Sequence, residues 1–80
     1  MEDLLKADKV LDCRGLLCPM PIIKITKAIK EIQVGQILEI LATDPGAKPD
    51  VEAWTKRTCH EFVSSEQQGE VNRFLVRRTI

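Results

Sequence analysis

Leu11-Asp12-Cys13-Arg14-Gly15-Leu16-Leu17-Cys18-Pro19-Met20-Pro21-Ile22-Ile23-Lys24-Ile25 is the stretch in which the chain changes period, and its reading decides the fold. Lys9 to Cys13 reads as a short strand, and Arg14-Gly15 as a turn signal. Beyond the cysteine, Ile22, Ile25, Ile29 and Ile32 recur at helical spacing with Ala28 beside them. That spacing predicts a helix from about Pro19 to Ile32. Lys24, Lys27, Lys30 and Glu31 fall on its wetter side, and Gly35 suits its exit.

Towards the C-terminus, Gln36 to Thr43 is rich in Ile and Leu and reads as a second strand. Asp44-Pro45-Gly46 is a turn signal, and Asp50 suits the cap of a second helix with Val51, Trp54 and Thr58 on one face. Strands from about His60 to Gln67 and from Val71 to Arg78, joined at Gln68-Gly69, complete a βαβαββ order. The fold class expected is α+β, a two-layer α/β sandwich with two helices on one face of a four-stranded mixed sheet. Right-handed crossovers then bring Cys18 and the Asp44–Asp50 loop to one end of that sheet. A second helix of ~10 residues carries Cys59 roughly 15 Å towards the opposite end, so it is a poor partner for Cys18.

Eighty residues make one domain, expected to span 1–80. Twelve basic and twelve acidic side chains cancel, which argues against a nucleic-acid binder. No stretch approaches the ~20 apolar residues of a membrane span, and the charged N-terminus lacks a signal-peptide core. The expected location is cytoplasmic. Three cysteines form no stapled framework, and in a reducing compartment such residues serve as core, metal ligands or catalytic thiols.

Cys18 falls where a helix N-cap belongs, with Pro19 at the first helical position and Pro21 within the first turn. Proline is tolerated there because the first amides have no helical acceptor. The positive end of the helix favours a thiolate, the nucleophilic form of cysteine. The prolines remove two donors, leaving those of Met20 and Ile22, and Arg14 and Lys24 are candidates to add positive potential. A buried, inert helix-start cysteine is the competing reading of these residues.

Cys13 shares a strand face with Leu11, which makes it a core residue; the alternative is a resolving thiol for Cys18. Cys13, Cys18, Cys59 and His60 supply zinc-type donors but lack ligand spacing, so neither metal nor cofactor is expected. His60 reads as a cation complementing a helix exit. Lys24, Lys27 and Lys30 form a basic stripe that is either solvated or a docking face for an acidic partner. Arg73 and Arg77 share a strand face towards solvent, and Trp54 reads as core.

The run from Leu11 to Pro21 resembles the signature of the TusA-like (SirA-like) sulfur carrier family, and the likeness extends over nearly the whole chain. It includes the element order, the Asp44-Pro45 turn and the Cys59-His60 junction. The resemblance implies that Cys18 accepts sulfur as a persulfide, supported by Pro19, Pro21 and Arg14. It implies partners that are proteins: a persulfide donor of the desulfurase or rhodanese-like kind, and a sulfur acceptor. Members of the tRNA-thiolation branch often carry an acidic residue between the prolines, where this chain has Met20. Transfer-RNA thiolation, molybdenum-cofactor assembly and sulfur oxidation thus stay open as pathways. Two other readings stand beside the carrier: a thiol redox or regulatory module using Cys13 and Cys18, and an interaction domain with an inert cysteine.

Overall fold

The computed structural model describes residues 7–17 and 19–80. Four strands, β1 (Lys9–Cys13), β2 (Ile37–Ala42), β3 (Glu61–Gln68) and β4 (Val71–Arg77), form one sheet in the order β1-β2-β4-β3. β1 runs parallel to β2, and β4 is antiparallel to both of its neighbours. The crossovers carry α1 (Met20–Ala28), prolonged by a 3₁₀ turn over Ile29–Glu31, and α2 (Ala47–Thr58). The expected α+β architecture and mixed sheet are what the chain adopts.

Strand alternation explains why both helices pack on the same face. Leu38, Ile40 and Ala42 of β2 and Phe74 and Val76 of β4 are buried on one side, with Cys13 of β1. Ile25, Ala28, Ile29 and Ile32 from the first crossover and Val51 and Trp54 from α2 join them in a single cluster. The helices are also tied directly, since Trp54 Nε1 donates to Thr26 Oγ1 at 3.1 Å.

The other sheet face is roofed by charge. Arg73 reaches Glu39 at 2.9 Å on β2 and Glu66 at 3.2 Å on β3, and Arg77 reaches Glu61 at 3.0 Å. Leu75 lies between the two arginines on that face and is only 2% exposed. Their aliphatic stems cover it while the charged heads stay wet. Arg73 and Arg77 are therefore ion-paired cover rather than bare solvent-facing charge.

Three expected boundaries move. The first helix begins at Met20 with Pro19 as its N-cap, and its regular part stops at Ala28 rather than Ile32. Gly35, at φ +94°, belongs to a separate turn closed by Gln36 N donating to Gln33 O at 3.0 Å. The second helix begins at Ala47 with Gly46 as N-cap, which places Asp50 in the first turn instead of at the cap. Asp44 sets that start: its Oδ1 accepts from Gly46 N at 3.1 Å and its carbonyl from Ala47 N at 2.9 Å. Pro49 is then the third helical residue, where no carbonyl waits for its missing N–H.

α2 ends on Cys59, whose φ of +67° lies in the left-handed region. A non-glycine residue strains there because its Cβ crowds the backbone. Cys59→Gly is expected to raise stability by about 0.5–1 kcal/mol, the relief exceeding the entropy that glycine adds to the unfolded chain. Urea unfolding midpoints of parent and variant check this, and an unchanged or lowered midpoint counts against it.

Candidate functional site

The site is assembled at the end of the sheet where β1 and β2 both finish. Cys13 is paired with Ala42 there, and the β3–β4 turn closes beside them, with Gln67 opposite Asn72 and Asn72 opposite Ala42. From β1 the chain turns sharply: Leu16 N donates to Cys13 O at 3.2 Å, with Gly15 at φ +82°. Gly15 N donates to Thr43 Oγ1 at 2.9 Å, pinning the turn to the end of β2.

Arg14 folds back on Asp12. Its Nε and Nη2 each donate to the carboxylate at 2.9 Å, and its backbone N–H donates to Oδ1 at 3.0 Å. These bonds hold the Asp12 carboxyl at about 2, well below the usual carboxylate range. The guanidinium expected to add positive potential at the cysteine therefore has its charge offset by a neighbour.

Cys18, the expected reactive residue, lies outside the described residues. Met20 N donates to Leu17 O at 2.9 Å, so the residues on either side of position 18 are held within one turn. The Met20 amide, expected to be open to sulfur, is committed to that bond. Ile23 N donates to Pro19 O at 3.2 Å, which starts α1. Pro21 is the second helical residue and is buried.

The surface around this turn is apolar. Leu17 is 71% exposed, Met20 42% and Ile23 53%, with Met20 and Ile23 three apart on one side of α1. Sequence reading missed these residues as a surface, since isoleucines at helical spacing are assigned to a core. The signal available was that Ile22 and Ile23 are consecutive, so both cannot face the sheet. Lys24 and Lys27 are exposed one turn further along the helix, as expected.

The other cysteines are placed as strand alternation and helix length imply. Cys13 is fully buried. Burial pushes its thiol pKa up, against the pull of Lys24 and with a smaller upward contribution from Asp12. Cys59 is exposed at the opposite end of the molecule, where Thr79 Oγ1 donates to its carbonyl. His60 differs from expectation. Its ring stacks on Trp54 with centroids 5.5 Å apart, and its Nδ1 accepts from Thr79 N at 3.2 Å. Burial and, after it, the charge of Arg78 lower its pKa, and with Nδ1 accepting a backbone N–H it packs as a neutral ring rather than as the cation expected at the helix exit. Among the described residues, no group of three or more His, Cys, Asp or Glu side chains is placed to hold a metal ion.

Comparison with known proteins places the chain in a family and a fold. Residues 9–78 match the family model described as Sulfurtransferase TusA. Among curated proteins, YrkF and YrkI of Bacillus subtilis (strain 168), both named for a sulfur carrier role, are 48% and 46% identical over 75 and 74 residues. The alignments cover 94% and 92% of this chain; the chain spans 40% of YrkF and 99% of YrkI. The sulfur carrier protein TusA of Allochromatium vinosum is 38% identical over 90% of this chain and 95% of its own length. The crystal structure of a SirA-like protein from Desulfitobacterium hafniense superimposes with a TM-score of 0.77 at 18% identity, over 90% of this chain and 99% of that one. That likeness establishes the fold.

Proposed function

The chain belongs to the TusA sulfurtransferase family, and from that premise we propose that it accepts sulfane sulfur on Cys18 as a persulfide and relays it to an acceptor protein. The observation that carries the proposal is the Cys18-Pro19-Met20-Pro21 run leading into α1, with Leu17 before it and Met20 within it both exposed. A thiolate next to a helix N-terminus is favoured by the backbone dipole.

Each transfer is a thiol–persulfide exchange. The Cys18 thiolate attacks the outer sulfur of the donor's persulfide, the donor's S–S bond breaks, and the donor cysteine leaves as a thiolate. An acceptor thiolate then attacks the outer sulfur on Cys18, which returns to its starting form. The two exchanges balance without an external oxidant or reductant. Sulfur is stoichiometric cargo, so the protein is a covalent carrier and not by itself an enzyme.

The donor we propose is a persulfidated protein of the desulfurase or rhodanese-like kind, and the proposed setting is the cytoplasm, whose reducing pool keeps thiols available. Lys24 and Lys27 are proposed to meet acidic side chains of these partners. No described helix is long and apolar enough to cross a membrane.

Intact-protein mass after incubation with a persulfide donor tests the carrier against the redox module. The carrier gains one sulfur atom. Loss of two hydrogens would instead mark a Cys13–Cys18 disulfide, a reading disfavoured by the burial of Cys13 and its raised thiol pKa.

A further inference from the structure

β1 is an outer strand, paired only with β2 among the described residues. Arg78 N donates to Gln36 O at 3.0 Å, which turns the polar groups of Gln36, and by alternation those of Leu38 and Ile40, towards β4 and leaves those of Ile37, Glu39 and Leu41 facing β1. In a parallel ladder a residue bonds to the two residues that flank its partner, so Lys9, opposite Leu38, and Leu11, opposite Ile40, turn their polar groups to β2. The N–H and C=O groups of Val10 and Asp12 then face outward, an open template for another strand.

Beside that edge runs a shallow groove of about 170 Å³ between β1 and α1, lined by Lys9, Val10, Leu11, Lys24, Lys27 and Glu31 among others. Glu31 is engaged by Lys9 at 3.1 Å. Lys24 and Lys27 have no ion-pair partner among the described residues, so the groove carries a local positive excess on a chain of zero net charge. Val10 is 56% exposed on the other side of the strand.

We infer that β1 takes an extended acidic segment of a partner protein as an added strand, its backbone paired with Val10 and Asp12 and its carboxylates over Lys24 and Lys27. The identification of that partner as sulfur donor or acceptor rests on the carrier reading; the binding mode does not. An added strand sends alternate side chains to opposite faces. Those on the helix side meet the lysines, and those on the open side lie beside Val10, so the segment that fits alternates acidic with apolar residues. A second copy of this edge is disfavoured, because its lysines would face lysines. The opposite outer strand, β3, offers Glu61 and Glu66, already paired with arginines, and has no such attraction for acid. A segment lying along the five residues of β1 extends about 16 Å and ends at Cys13, next to the turn that leads to position 18. Docking there brings the partner's chain to the reactive end of the sheet.

The test uses the full ¹⁵N-labelled chain under reducing conditions at low salt, titrated with the synthetic peptide acetyl-Glu-Val-Glu-Val-Glu-Val-amide. The expected result is saturable shifts along β1 and at least about tenfold slower hydrogen exchange of the Val10 and Asp12 amides, with the Leu11 amide unchanged. The Lys24→Glu, Lys27→Glu double variant is expected to weaken binding by about tenfold, from two lost exposed charge pairs and the repulsion replacing them. Salt should reduce that difference. Absence of binding, shifts centred on β3, unchanged exchange at Val10 and Asp12 in the saturated complex, or equal binding of the Lys-for-Glu peptide would each overturn the inference. The peptide contains no sulfur, so failure here leaves the loading of Cys18 standing, and failure of loading leaves this titration standing.

Discussion

Phe74→Ala is expected to cost about 3–5 kcal/mol, the range for removing a buried aromatic ring from a close-packed core. Phe74 has no exposed surface and stands on β4, an inner strand, between Ile40 of β2 and Ser65 of β3. Its ring centroid is 6.1 Å from that of Phe62, and it belongs to the cluster that holds both helices to the sheet. A chain of 80 residues has about 4–12 kcal/mol of stability in all, so this single truncation removes much of it. Urea unfolding reads the loss directly. Val34→Ala, at a residue 61% exposed, serves as the control and should change stability by less than about 0.5 kcal/mol. A loss below about 2 kcal/mol at Phe74 would show that the surrounding side chains collapse into the space.

The strands and the core were legible because period-two alternation reports a physical fact: one face of each strand must be dry. Leu11 and Cys13, Leu38 and Ile40, and Phe74 and Val76 follow from that rule, and Trp54 follows from the helical period it shares with Val51. Helix ends were less legible, since they depend on hydrogen bonds that compete locally. Pro49-Asp50 looks like a helix start, but the Asp44 side chain already engages Gly46 and begins the helix earlier, with Pro49 inside the first turn. Gly35 looks like a helix exit, but it serves the turn into β2, where its N–H donates to Arg78 O at 2.7 Å.

At the site, sequence reasoning named the right residue types but not their mutual pairing. Arg14 two residues after Asp12 reads as a free cation until the turn at Gly15 lets it close on the carboxylate. His60 reads as a helix-end cation until burial and the nearby charge of Arg78 disfavour its charged form. Leu17, Met20 and Ile23 illustrate the converse limit. Their apolar character argues for burial, whereas their exposure follows from which side of the turn faces the sheet, a fact that only the three-dimensional path supplies.

Cys18→Ser is expected to abolish sulfur loading while leaving the fold intact, and this is the prediction on which the proposed function depends most. Serine keeps nearly the size of cysteine but has no thiol to ionise near neutral pH, so it cannot attack a persulfide. The remaining cysteines do not substitute. Cys13 is fully buried with its thiol pKa raised, which depopulates the nucleophilic form. Cys59 is exposed but stands at the opposite end of the sheet, capping α2 beside Thr79. Cys13→Ala and Cys59→Ala are therefore expected to gain one sulfur from a persulfide donor as the parent does, and Cys18→Ser none. Cys13→Ser is the informative companion, because it places a hydroxyl in an apolar site at a cost of about 1–3 kcal/mol without touching the chemistry. Intact mass measures loading, and circular dichroism with thermal unfolding confirms that each variant is folded. Normal loading of folded Cys18→Ser would remove the carrier role from this residue. Loss of loading in folded Cys13→Ala would move the function to a Cys13–Cys18 pair.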